Sequence, residues 1–182
     1  MARMSPTDGP SPAALTRVAP WITLAARLIL GVVLLIAGAL KIGYFEASVQ
    51  AVRAYQLLPF DLTRPIGYAL PIIEIAVGLM LITGTFTRIA AVIGSLLMIA
   101  FLIGIASVWA RGISIDCGCF GGGGEVDASL TQYPLEIARD LGLLLCGVWA
   151  AWRPRSPWAA DHWLFGGGAA DEHDDMEVEA IR

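Results

Sequence analysis

The stretch IAAVIGSLLMIAFLIGIASVWA, Ile89 to Ala110, decides the fold: 22 consecutive residues without one charged side chain. As a helix rising ~1.5 Å per residue it covers the ~30 Å hydrocarbon core of a bilayer, a distance that takes about 20 apolar residues. The backbone finds no water to bond in that medium, so such a segment spans it as a helix. Three further windows share this character. Trp21 to Leu40 is interrupted only by Arg27, Ile66 to Thr83 only by Glu74, and Tyr133 to Trp152 holds Glu136, Arg139 and Asp140 in its first two turns. Pro134 suits the first turn of the last window, where its missing N–H costs nothing. Trp21, Tyr133, Trp149 and Trp152 fall near the window ends, where interfacial aromatics belong. The expected fold is all-α: a polytopic membrane four-helix bundle, with no β-sheet.

Composition points the same way. A chain of 182 residues that is 57 % hydrophobic and 15 % charged is a membrane domain with short soluble ends. Its bases are 11 Arg and one Lys, thinly spread, which excludes a nucleic-acid surface. The organisation reads as an N-terminal arm over residues 1–19, a transmembrane domain over 20–153 and a C-terminal tail over 154–182. The arm is too polar for a signal peptide, so the first apolar run is expected to be retained as a helix. The tail holds seven carboxylates from Asp161 onward against Arg182 alone, and is expected to be disordered.

The connections differ in kind. Gly84 to Arg88 is a tight turn that forces its two spans antiparallel. Lys41 to Pro65 is longer and amphipathic, with Tyr44, Phe45, Val49, Val52, Tyr55, Leu57 and Leu58, and predicts a short helix lying on the bilayer. Arg111 to Gln132 carries two cysteines. Four spans put both termini on one side and loops one and three on the other. With the termini cytoplasmic, Arg3, Arg17, Arg88, Arg153 and Arg155 face inward against Lys41, Arg53, Arg64 and Arg111 outward, a narrow positive-inside excess. A thiol pair used in disulfide chemistry belongs in an oxidising compartment, which favours the same orientation in the plasma membrane.

Chemistry concentrates at Cys117-Gly118-Cys119, followed by Gly121 to Gly124. A disulfide between residues i and i+2 closes a very small ring, and a strained, exposed disulfide is a better oxidant than a structural one. Gly118 relieves the backbone between the sulfurs, and Gly121 with its neighbours lets the loop move. Asp116 would raise the thiol pKa and Arg111, folded back, would lower it. A permanent structural disulfide and two unpaired thiols are the competing readings. Two cysteines without a nearby His make a poor zinc site, so no metal is expected. Cys146 lies roughly 18 Å along the fourth helix from Pro134 and reads as a small apolar residue.

A second constellation is ionic. Glu136, Arg139 and Asp140 stand at i, i+3 and i+4, so one helix face can set both carboxylates around one guanidinium. Glu74 lies mid-span after Pro71, with Arg27 as a candidate counter-ion whose stem can also reach the interface. Charges at that depth face a partner or polar cavity, and serve either as a structural ion network or in proton and quinone handling.

Together these patches resemble the MauE/DoxX superfamily of small four-helix membrane proteins, and within it the MauE branch of methylamine-utilisation redox proteins. The matching residues are Arg27-Leu-Ile-Leu-Gly31 running into Ala37-Gly-Ala-Leu-Lys41, Leu70-Pro-Ile-Ile-Glu74 leading to Gly78, Asp116-Cys-Gly-Cys-Phe-Gly121, and Arg139-Asp140. The resemblance covers about residues 20 to 153. It implies a thiol–disulfide redox component that works with an extracytoplasmic thioredoxin-fold partner in disulfide formation or maturation of exported proteins, with Cys117 and Cys119 as the reacting pair. The chain is also similar to the DsbB and vitamin K epoxide reductase class, which hands electrons to quinone. It departs from that pattern in having a single cysteine pair where that class has two. No covalently bound cofactor is expected, and a quinone is the acceptor such chemistry would use. The rival expectations are a non-catalytic assembly subunit of a membrane complex, with a structural loop disulfide, and a DoxX/DoxD-like quinone-linked oxidoreductase subunit.

Overall fold

The computed structural model describes residues 12–118, 122–127 and 131–153; Cys119, Gly121, the first eleven residues and the acidic tail lie outside them. Among the described residues, five helices and one small ladder follow in chain order: α1 Pro12–Lys41, α2 Phe45–Ala54, α3 Phe60–Thr83, α4 Thr87–Ala110, β1 Ile115–Asp116, β2 Gly124–Glu125 and α5 Tyr133–Trp152. Among the described residues, three helices are long and apolar enough to cross a membrane: Ala19–Lys41 within α1, then α3 and α4. The 20 residues of α5 match the sequence window end for end, but this helix carries Glu136, Arg139 and Asp140.

Several expectations shift. Helix α1 starts at Pro12, inside the segment read as an arm, because Pro at a first turn and then Ala13-Ala14-Leu15 favour helix. Helix α3 starts at Phe60 rather than Ile66, with Asp61 in its first turn where the helix dipole favours a carboxylate. The expectation of no sheet fails: β1 and β2 pair antiparallel, Ile115 opposite Glu125 and Asp116 opposite Gly124. Gly123 and Gly124 have φ of 127° and 128°, a conformation other residues rarely adopt.

Packing runs around a ring. Helix α1 lies along α3 and α4 along α5, while α1–α5 and α3–α4 contacts complete the circuit. The α1–α3 contact is close: a Cβ on Gly78 would sit 2.8 Å from the Gly31 carbonyl oxygen, and one on Gly38 2.8 Å from that of Pro71. Leu30, Leu34, Val77, Leu81, Met98 and Leu143 fill the centre. The Trp149 indole N–H donates to Thr23 Oγ1 at 3.2 Å, tying α5 to α1. Outside this core stand exposed Ile29, Val32, Ile72, Leu79, Leu96 and Ile99 on the candidate spans, an apolar surface suited to lipid.

The short helix expected in the first loop is α2, and it rests on α3 as well as on whatever lies outside. Val49 meets the backbone at Gly67, Phe45 stacks on Tyr68 with centroids 5.2 Å apart, and Arg53 Nε donates to Thr63 Oγ1 at 3.2 Å.

Candidate functional site: a clamped thiol, a buried ion pair and the cavity between

The described part of loop three is anchored to its surroundings. The Tyr133 hydroxyl donates to Ile113 O at 2.6 Å and accepts from the Ile115 N–H at 2.8 Å. The Tyr55 hydroxyl, from loop one, donates to Cys117 O at 2.9 Å. Arg111 does not fold back to the thiol; its guanidinium donates to the Ser107 and Tyr55 carbonyls. Loops one and three therefore form a single cap on one end of the helices.

Cys117 is buried among Ile105, Val108, Ile115 and Tyr133, where an exposed thiol on a mobile loop was expected. The reason is Ile113 and Ile115 just before it, which pack with it against Ile105 and Val108 of α4 and Tyr133 and Ile137 of α5. Its thiol donates to the Glu136 carboxylate, and the donor atoms of Asp116, Cys117 and Glu136 all lie within 4.8 Å of one another. That spacing, which would also suit a metal ion, arises because loop three folds back over the first turn of α5. Asp116 is further held by the Gly118 N–H, which donates to Oδ1 at 3.2 Å. Gly118 adopts φ 68°, and a Cβ there would lie 2.6 Å from Ala51 Cβ on α2. Both facts demand glycine.

The ionic residues split differently from the sequence reading. Glu74 pairs with Lys41, whose ammonium donates to Oε1 at 2.8 Å and Oε2 at 3.0 Å, with both side chains buried. Arg27 is buried too, rather than reaching out to the interface. The geometry has a simple origin. Side chains lean toward the N-terminus of their own helix, and α1 and α3 are antiparallel, so Lys41 and Glu74 lean toward each other. Sequence reasoning passed over Lys41 as a loop residue, although it is the one lysine in the chain. Arg139 Nε pairs with its neighbour Asp140 at 2.8 Å, leaving Glu136 to the thiol. Glu74, Arg139 and Asp140 do meet, around a void of about 20 Å³ that holds one water at most. Cys146 packs half-buried against the central core, as an apolar residue would.

A larger space, about 360 Å³, lies between α2, α3, α4 and the cap. Lys41, Val52, Leu58, Leu70, Phe101 and Cys117 are among its walls. Cys117 and Lys41 thus line one apolar cavity from different sides.

A small, mostly helical multi-pass membrane protein with a buried thiol and a buried lysine–glutamate pair is the class this architecture defines. The family model described as Methylamine utilisation protein MauE matches residues 19–153, and the chain belongs to that family. It is 34 % identical over 134 residues to the Methylamine utilization protein MauE of Methylorubrum extorquens, covering 73 % of this chain and 70 % of that one. It is 31 % identical over 134 residues to the protein of the same name from Paracoccus denitrificans, covering 68 % and 72 %. No solved structure matches the chain.

Proposed function

We propose that this protein is a thiol–disulfide redox component of the plasma membrane, passing electrons from an extracytoplasmic thioredoxin-fold partner to a membrane quinone. It would thereby aid disulfide formation or maturation of exported proteins, in a methylamine-utilisation system of the kind its relatives' names describe. In this reading α5 is a fourth span: Leu141, Leu145 and Val148 are exposed along one face while Asp140, Leu143, Gly147 and Ala150 are buried along another. The termini are cytoplasmic and the cap is extracytoplasmic.

The observation that carries the reading is Cys117, hydrogen-bonded to Glu136 and lining an apolar cavity. The steps balance. A Cys117–Cys119 disulfide accepts two electrons from the partner's dithiol through a mixed disulfide, leaving the partner oxidised and the pair reduced. Two electrons and two protons then pass to quinone and the disulfide re-forms. Glu136 takes the Cys117 proton. The void beside Glu74, Arg139 and Asp140 is too small for a ring, so these residues serve as an ion network behind the site.

The test is thiol trapping in intact cells with a membrane-impermeant maleimide, before and after a reductant pulse. Labelling only after reduction, followed by reoxidation within minutes, is the expected outcome. If Cys117→Ser and Cys119→Ser leave the partner's redox state unchanged, the proposal fails. A pair that resists reduction throughout would mark an assembly subunit held by a structural disulfide.

A further inference from the structure

We infer that the 360 Å³ cavity is a quinone-headgroup site entered sideways from the bilayer, in which Lys41 holds a quinone carbonyl oxygen. The inference rests on the redox reading above and names the place where its electrons leave the protein.

Size comes first: ligand pockets run from about 300 to 1,000 Å³, and this one falls at the compact end. The rim is apolar and turned outward, with Leu57 48 %, Leu58 39 % and Ile103 60 % exposed. Ile103 belongs to α4, a candidate span, so the mouth meets hydrocarbon and admits a lipid-soluble ligand. Within, Lys41, Ser48, Tyr55 and the Cys117–Gly118 segment break the apolar wall. An ammonium has three donors, and Glu74 takes two of them. The remaining N–H suits an acceptor that brings no charge of its own. Phe101, whose ring centroid lies 5.8 Å from Lys41 Nζ, adds a flat wall for a planar ring.

The chemistry of the thiols selects among lipid-soluble ligands. A dithiol closing to a disulfide releases two electrons and two protons, and the acceptor must take all four within an apolar space. A quinone does so, each carbonyl becoming a hydroxyl. Two S–H bonds break, one S–S bond forms, and the Cys117 proton leaves through Glu136. Lys41 is not consumed. Its charge stabilises the negative charge that builds on the carbonyl oxygen during transfer, and Glu74 keeps the ammonium fixed for that purpose. A phospholipid acyl chain would fill the apolar walls but offers nothing to Lys41.

The probe is a photoreactive azido-ubiquinone with the full-length protein in nanodiscs, its attachment sites mapped by mass spectrometry. Label is expected on the walls contributed by α2, α4 and residues 55–58, and unlabelled short-chain ubiquinone should displace it. Lys41→Met with Glu74→Leu removes both charges together, so neither is stranded. This double variant should weaken displacement by about tenfold or more, the worth of a hydrogen bond from a charged donor. Leu58→Trp at the rim, whose fold does not depend on the ion pair, should abolish labelling by filling the mouth. Label outside the cavity, displacement by phospholipid but not by quinone, or undiminished labelling in both variants overturns the inference. Labelling in the cavity without reoxidation of pre-reduced Cys117 by quinone would instead sink the redox relay and leave the site standing. A working relay without cavity label would do the reverse.

Discussion

Breaking the Lys41–Glu74 pair should cost far more than deleting it. Both side chains are buried and the ammonium contacts both carboxylate oxygens, at 2.8 and 3.0 Å. Lys41→Met strands the Glu74 carboxylate midway along α3, and a buried charge deprived of its partner costs about 3–5 kcal/mol. That is a large share of the roughly 5–15 kcal/mol by which folded domains are stable. Glu74→Leu strands the ammonium instead, but Lys41 ends α1 and its flexible stem can turn toward the interface, so its penalty falls toward about 2 kcal/mol. The double variant leaves no charge behind. Apolar replacement of a whole buried pair is commonly neutral or stabilising by about 1–4 kcal/mol, so the double variant should lie at or above the parent. The two sites therefore couple by at least about 5 kcal/mol in a double-mutant cycle. Tryptophan fluorescence during sodium dodecyl sulfate titration in bicelles measures the four stabilities. If the double variant loses as much as the two single variants combined, the two side chains are not the coupled buried pair described above.

Other substitutions probe the cap and the helix contacts. Gly118→Ala places a Cβ against Ala51 at a left-handed φ, so the segment must move; Cys117 should become much faster to alkylate with N-ethylmaleimide, and an unchanged rate would refute the close contact. Tyr133→Phe removes the hydroxyl that bonds Ile113 and Ile115, and should lower stability by about 1–3 kcal/mol by the same titration, a smaller change counting against the clamp. Gly78→Ile drives a side chain into the α1 backbone at Gly31 and Leu35 and should lower the Tm measurably, by an amount equivalent to about 1–3 kcal/mol. Glu136→Gln removes the proton acceptor of Cys117 and should slow its reoxidation by quinone at neutral pH by about a hundredfold, whereas a slowing below twofold would assign Glu136 a structural part only.

What could be read from the sequence follows the range over which the forces act. Helix α5 runs Tyr133–Trp152 as its apolar window and Pro134 imply, and α2 appears where loop one turns amphipathic. These depend on residues within a few turns of each other. The β1–β2 ladder was not legible, since two strands of two residues have no alternation to detect. The Lys41–Glu74 pair joins residues 33 apart. Its signal was present only indirectly, in the antiparallel order of two spans and the direction in which their side chains lean. Burial of Cys117 was hidden because glycine-rich composition suggests mobility, while the anchors are Tyr55 and Tyr133, both outside the motif.

The bond from Tyr55 to Cys117 also sets an order of events at birth, because its two ends are made 62 residues apart. At a synthesis rate of about 5–20 residues per second, Tyr55 waits roughly 3–12 seconds for the strand it will hold. Cys117 then emerges before Tyr133 and Glu136, the groups that later enclose it. A newly made thiol thus passes through an interval when oxidants and foreign thiols can reach it freely. A chain stalled between Cys117 and Tyr133 should be caught in mixed disulfides with foreign thiols that the enclosed Cys117 of the finished protein does not admit.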